Sequence, residues 1–152
     1  MLAFYRCGTV LALVCICVMA GCSGGYEPPK GVTVLGIIVK DDMPLVVPNR
    51  EVGLGSVEII LVPQAETVAA GAEPFSTQAA EDGSFSVIGP GQGIMPGKYR
   101  LAVYQRDQGP SSDLLQGEFS ETNSPIEVEV PASKSGGKHD LGKLDLTTFR
   151  KQ

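Results

Sequence analysis

The chain has 152 residues, a formal net charge of −5 and no tryptophan. This acidic balance excludes electrostatic attraction to nucleic acid or to anionic lipid as the basis of its function. All four cysteines lie within the first 22 residues, so the rest of the chain has no disulfide and must be stabilised by its own core.

The N-terminal segment has the order of a secretion signal. Arg6 supplies one positive charge, and an uncharged, mostly apolar stretch follows at residues 7–21. A membrane-spanning helix needs about 20 apolar residues, whereas the apolar region of a signal peptide needs about 7–15. The length therefore favours a signal peptide over residues 1–21. The alternative is an uncleaved anchor helix, which the small residues Ser23, Gly24 and Gly25 disfavour.

The end of this segment reads Met19-Ala20-Gly21-Cys22, which resembles the lipobox of bacterial lipoproteins. The resemblance implies cleavage between Gly21 and Cys22, with a diacylglycerol on the Cys22 thiol. Two or three acyl chains hold a protein stably on a membrane, since each buried methylene contributes about 0.8 kcal/mol. Ser23, where an Asp would favour retention in the inner membrane, implies an outer-membrane lipoprotein that faces the periplasm or the cell surface.

Residues 22–31 continue as a short tether that contains glycines, Ser23 and the pair Pro28-Pro29. Removal of 21 residues from 152 leaves 131, which is enough for one domain with one hydrophobic core. Removal of Arg6 makes the formal charge −6. We expect a single domain over residues 32–147 and a C-terminal tail over residues 148–152.

The domain consists of short alternating or β-branched runs separated by turn residues, and no stretch keeps a helical period. Asp82-Gly83 predicts a tight hairpin between two of these runs. The pattern predicts an all-β fold, a single antiparallel β-sandwich of about seven strands. The expected strands are Val32–Lys40, Ser56–Val62, Phe75–Ala80, Ser84–Ile88, Tyr99–Arg106, Ile126–Val130 and Leu141–Leu146.

The run Glu81-Asp82-Gly83-Ser84-Phe85, followed by the strand that begins at Pro96-Gly97-Lys98-Tyr99, resembles the carboxypeptidase regulatory-like domain. The similarity covers most of residues 32–147. It implies a transthyretin-like, Ig-like Greek-key sandwich with Phe85 and Tyr99 in the core. The segment Met43–Gly55 departs from the family pattern, because it is longer and more apolar than the usual step. Such domains are accessory modules of many proteins, so the fold does not identify a task.

The sequence offers little catalytic chemistry, and we predict neither an enzyme nor a cofactor or metal. His139-Asp140 could orient an imidazole, but neighbouring strand residues face opposite ways, and we expect an exposed turn there. Glu127 and Glu129 are expected to face solvent rather than to act as paired catalytic carboxylates. The loop 89–97 is rich in glycine but lacks the following helix of a phosphate site. The acidic pairs that we weighed for calcium, and interpret as solvated turns, are Asp41-Asp42, Glu81-Asp82 and Asp107 with Asp113.

Two classes of function remain open. In the first, which we favour, the sandwich of an envelope lipoprotein is an interaction or structural module. Its protein partner would bind the loops 64–74 and 107–117 or an exposed strand edge. In the second, it is a ligand-binding accessory module for a glycan, a small molecule or Ca²⁺ that serves another envelope protein.

Overall fold

A computed structural model of the chain describes residues 30–64, 72–91, 93–133 and 136–150. Within them, two β-sheets pack face to face around one hydrophobic core, so the predicted all-β sandwich is confirmed. A 3-10 turn lies at Arg50–Val52 and a short helix, α1, at Leu146–Phe149. The strands are β1 (Thr33–Lys40), β2 (Met43–Pro44), β3 (Ser56–Pro63), β4 (Phe75–Gln78), β5 (Ser84–Val87), β6 (Gly97–Arg106), β7 (Glu127–Val130) and β8 (Lys138–Asp145).

In the first sheet, β1 is the central strand. Its antiparallel neighbours β5 and β2 share one side, and β8 pairs with the other side in parallel. The expectation of purely antiparallel pairing was therefore wrong for β8. The reason is the connection at residues 131–137, which returns the chain to the end of the sandwich where β1 begins, so that Lys138 pairs with Thr33.

The second sheet has the order β4-β3-β6-β7 and is antiparallel throughout. Its longest pairing joins β3 to β6 over eight residue pairs, from Ser56 opposite Arg106 to Pro63 opposite Tyr99. Along β3 the alternating side chains Val57, Ile59 and Leu61 are buried, as their spacing predicts, and Glu58 is on the other face.

The turn at Asp82-Gly83 is present, but the predicted hairpin was wrong. Gly83 has a φ of 83°, and its amide donates to the carbonyl of Ala80 at 3.0 Å. The strands on either side belong to different sheets, since β4 pairs with β3 and β5 pairs with β1. The turn therefore carries the chain from one sheet to the other. Turn chemistry reverses the chain locally but does not determine which strand each arm joins.

The core is formed by the inward faces of both sheets. Tyr99 is fully buried and Phe85 is 5% exposed, so both aromatic residues fill the core as predicted. The Tyr99 hydroxyl donates to the carbonyl of Met95 at 2.8 Å, and burial raises the pKa of this phenol. The hydroxyl thus enters the interior with its hydrogen bond satisfied.

Packing continues past the last strand. The sequence predicts that Leu146 ends a strand, whereas it begins α1, and its side chain is 1% exposed. Phe149 also packs against the core. Among the described residues, no helix is long and apolar enough to cross a membrane.

Candidate interaction surface

The sandwich has two ends that differ in construction. We define the entry end as Lys30–Thr33 with residues 88–97 and 131–138. The far end comprises residues 40–56, 79–84, 105–118 and 145–149. β1 runs from one to the other, and eight strand residues span about 26 Å.

At the far end, the segment between β1 and β3 carries four large apolar side chains that are exposed to solvent. We call Met43, Val46, Val52 and Leu54 the far-end surface; their side chains are 66%, 80%, 65% and 51% exposed. Single exposed apolar residues are ordinary on protein surfaces, but four within twelve residues are not. The length and apolar character of this segment were noted in the sequence, but the segment has no periodicity that would indicate which of its residues face solvent.

The far-end surface is attached to the sandwich by its neighbours. Leu45, between the exposed Met43 and Val46, is buried in the core. The Gln105 side chain donates to the carbonyl of Val46 at 2.6 Å, and a shallow depression of about 510 Å³ lies between these residues and Met43. The Asn49 side chain donates to the carbonyl of Asp107 at 3.1 Å. The segment is thus held at both its start and its middle, while its apolar side chains stay outside.

The neighbouring loop, residues 107–117, is organised by the Asp113 carboxylate. It accepts hydrogen bonds from the backbone amides of Gln105 at 3.1 Å, Leu115 at 3.1 Å and Gly117 at 2.8 Å. In the sequence, Asp113 was considered with Asp107 as a possible calcium ligand. In the structure its carboxylate instead accepts these backbone hydrogen bonds. The carboxylate joins two amides of the loop, those of Leu115 and Gly117, to the amide of Gln105 at the end of β6, which fixes the shape of the loop.

Arg106 fixes the start of the same loop. Its guanidinium forms an ion pair with Glu58 at 2.7 Å and donates to the carbonyls of Pro110 and Ser112. Its central carbon also lies 4.6 Å from the ring centre of Tyr104, within the range of a cation–π contact. The arginine and its acidic partner are both largely shielded from solvent, so the loop is joined to β3 as well as to β6.

A third carboxylate, Asp145, joins α1 to the turn between β1 and β2. It accepts from the amides of Thr147 at 2.9 Å, Asp41 at 3.1 Å and Asp42 at 3.0 Å. The amide of Thr147 makes the largest contribution to holding the pKa of Asp145 below its ordinary value, and the amides of Asp42 and Asp41 add to it. Lys143 donates to Asp42 at 2.6 Å, which raises the pKa of the lysine.

The entry end is closed by backbone packed on backbone. Val32 and Ile94 exchange two hydrogen bonds of 2.9 Å each, and the amide of Thr33 donates to Gly137 at 2.9 Å. A Cβ on Gly31 would lie 2.4 Å from the carbonyl carbon of Gly93, closer than any side chain can approach. Two large apolar side chains, Ile88 and Met95, are also exposed at this end.

The two loops that the sequence offered for partner binding lie at opposite ends. The loop 107–117 is at the far end beside the far-end surface. Gln64, which begins the loop 64–74, lies near the start of β6, where its amide donates to the carbonyl of Lys98 at 2.9 Å. Residues 65–71 lie outside the described residues. The structure therefore brings together the loop 107–117 and the segment Met43–Gly55.

The other sequence candidates are distributed as follows. Gly21 and Cys22 lie outside the described residues. His139 was predicted in an exposed turn, which was wrong, since it lies in β8 opposite Val34 and is half-buried. Glu127 and Glu129 face solvent along β7 as predicted. In the described ranges no three His, Cys, Asp or Glu side chains are grouped as a metal site would require.

One free strand edge, that of β8, is poorly suited to pairing with another chain. The outer edge of β8 has a register shift opposite Leu35 and Ile37, and Gly142 there has a φ of 68°. The amide of Gly142 is already bonded to the Asp140 side chain at 2.8 Å. Irregularities and charges of this kind block edge-to-edge pairing. The loops of the far end are thus better placed than this edge to meet a partner.

Comparison of the chain with protein-family models, with curated protein sequences and with solved structures finds no match.

Proposed function

We propose that the chain is a non-enzymatic lipoprotein of a bacterial cell envelope whose β-sandwich binds a protein partner through its far end. Lipid on Cys22 would anchor it to the membrane, with the outer membrane as its location. The sequence Met19-Ala20-Gly21-Cys22 supports the anchor, and the absence of Asp at position 23 supports the location.

The observation that carries the proposal is that the chain leaves Cys22 toward the entry end, while the exposed apolar side chains of the far-end surface lie at the opposite end of the sandwich. Lys30 lies at the entry end, eight residues after Cys22, and a chain of eight residues spans at most about 29 Å. An anchor at Cys22 would therefore keep the entry end near the membrane and direct the far end away from it. The exposed apolar side chains of the far end would then be offered to proteins that approach from the aqueous side.

The proposal retains the resemblance to the carboxypeptidase regulatory-like domain, with which an all-β sandwich is compatible. Such domains are accessory modules of many proteins, which agrees with a non-enzymatic module but does not identify its task. The carboxylates of the far end fit this interpretation, because Asp113 and Asp145 are occupied by backbone amides and are not arranged around a reacting group.

The anchor is tested by the intact mass of the protein purified from membranes of cells that produce it. Wild type and a Cys17→Ala control should each lose residues 1–21 and gain the mass of a diacylglycerol with or without one further acyl chain. Cys22→Ala should show neither change. Mass is the readout, since an uncleaved apolar segment could itself keep Cys22→Ala on the membrane. Identical lipidation of Cys22→Ala and wild type would contradict the anchor.

A further inference from the structure

Acidic side chains flank the far-end surface along the chain. Asp41 and Asp42 immediately precede Met43 and are exposed, and Glu51 is exposed next to Val52. Lys143 is paired with Asp42, and the Arg50 guanidinium donates to the carbonyl of Ala79, so two nearby cations are already engaged. Residues 40–55 and 105–117 contain more acidic than basic side chains. The five acidic residues are Asp41, Asp42, Glu51, Asp107 and Asp113, and the three basic residues are Lys40, Arg50 and Arg106.

This charge distribution favours some binding partners of the surface over others. A second copy of the chain would bring the same excess of carboxylates to the interface, and like charges brought together disfavour binding. An anionic lipid surface is disfavoured for the same reason. A partner with an apolar face and a basic margin gains from both the exposed methyl and thioether groups and the flanking carboxylates.

We propose that the far-end surface binds a basic amphipathic segment of a partner protein, with apolar side chains against Met43, Val46 and Leu54 and lysines or arginines facing Asp41, Asp42 and Glu51. This inference rests on the proposed function and adds the chemistry of the partner. The backbone next to the surface is already held by hydrogen bonds from the side chains of Asn49 and Gln105 and to the side chain of Asp113. Binding therefore costs little additional backbone entropy.

The test uses the mature lipidated protein in nanodiscs whose lipids carry no net charge, with empty nanodiscs as the reference. Two synthetic amphipathic helices serve as probes. They share one leucine face, and the polar face carries lysines in one and glutamates in the other. We expect the lysine peptide to bind at least about 10-fold more tightly than the glutamate peptide, and its binding to weaken as salt is raised.

Two pairs of variants locate the binding. Val46→Ser with Leu54→Ser should weaken binding of the lysine peptide at least about 10-fold, whereas Ile88→Ser, at the exposed entry end, should leave it unchanged. Glu51→Lys should weaken binding, whereas Glu127→Lys, which makes the same change in net charge on β7, should not. All of these positions are exposed, and a thermal melt of each variant verifies that it is folded.

Binding of neither peptide, preference for the glutamate peptide, or equal loss in Glu51→Lys and Glu127→Lys would each overturn the basic partner. These results are distinguishable from failure of the proposed function. If a cross-linker at Val46 still traps a protein in cells, the interaction role stands and only the partner chemistry is wrong. If it traps none, the proposed function fails as well.

Discussion

The two ends of the sandwich are stabilised by different means. At the entry end, Gly31, Gly89 and Gly93 approach so closely that backbone lies directly on backbone, with no room for a Cβ. At the far end Gly55 and Gly83 are packed on backbone in the same way, but side chains also hold the loops there, with Asp113, Asp145 and Arg106 bonded to backbone groups of their neighbours. A surface held by polar side chains can keep its apolar residues exposed, because folding does not depend on burying them.

This difference separates stability from recognition within one small domain. At the entry end the tight backbone contacts limit which substitutions are tolerated. At the far end Met43, Val46, Val52 and Leu54 are exposed, so they can vary with little effect on folding. The predictions that follow test the contrast, beginning with the largest effect.

The entry end should be intolerant of a single methyl group. A Cβ on Gly93 would lie 2.8 Å from the carbonyl carbon of Gly31, whereas a Cβ on Gly91 would have open space. Both glycines have positive φ, so each alanine costs about 1–2 kcal/mol from backbone strain alone. Gly93→Ala should lower the free energy of unfolding by about 1–3 kcal/mol more than Gly91→Ala, measured by denaturant unfolding. Equal losses would show that the entry end has room to adjust.

Loss of the Asp113 carboxylate should release the loop 107–117. Asp113→Ala leaves three part-buried amides without their acceptor, and we expect a loss of about 1–3 kcal/mol in the free energy of unfolding. Amide hydrogen exchange at Leu115 and Gly117 should accelerate. The control is Asp107→Ala, since the hydrogen bonds of Asp107 in the described ranges are made by its backbone. If the two variants lose equal stability, the loop is held by something other than Asp113.

Acid should weaken the contact between α1 and the β1–β2 turn. The pKa of Asp145 is lowered, chiefly by the amide of Thr147, so its stabilisation is complete above the ordinary value of 3.8 and is lost as the pH falls through the lower folded value. Asp82, whose pKa is lowered by its hydrogen bonds from Ser84, behaves in the same way. Asp145→Asn should reduce the acid-dependent fall in melting temperature without abolishing it. An unchanged pH profile would mean that Asp145 contributes nothing to this dependence.

The smallest effect is expected at the far-end surface itself. Val46 is 80% exposed, so Val46→Ser should change the free energy of unfolding by less than about 0.5 kcal/mol in the same denaturant measurement. A loss above about 1 kcal/mol would show that Val46 stabilises the fold. In that case its exposure would not be available for recognition.

Much of the fold could be predicted from the sequence because alternation reports directly which side chains are buried. The runs that contain Val57, Ile59 and Leu61, or Glu127 and Glu129, have the faces that their spacing predicts. Strand pairing could not be predicted in the same way. Asp82-Gly83 determines a turn, but whether β5 joins β4 or β1 depends on contacts between residues far apart in sequence. The parallel pairing of β8 has the same origin.

The candidate surface was harder to predict from the sequence than the fold. The segment Met43–Gly55 is apolar without a period, so nothing in it distinguishes the buried Leu45 from the exposed Val46. The role of Asp113 was also hidden, because two of its three amide donors, Leu115 and Gly117, belong to a loop whose shape depends on Asp113 itself. The resemblance of Met19-Ala20-Gly21-Cys22 to a lipobox differs from both, because it depends on four adjacent residues.

The most direct test of the account is site-specific photo-cross-linking in intact cells that produce the protein. The photoreactive residue is placed at Val46 on the far-end surface or at Ile88 at the entry end, in wild type and in Cys22→Ala. The account predicts that Val46 traps one defined protein when Cys22 is intact, and that Ile88 does not trap it. Trapping of the same protein from Ile88 but not from Val46, or the same product with and without Cys22, would contradict a membrane-anchored module that binds through its far end.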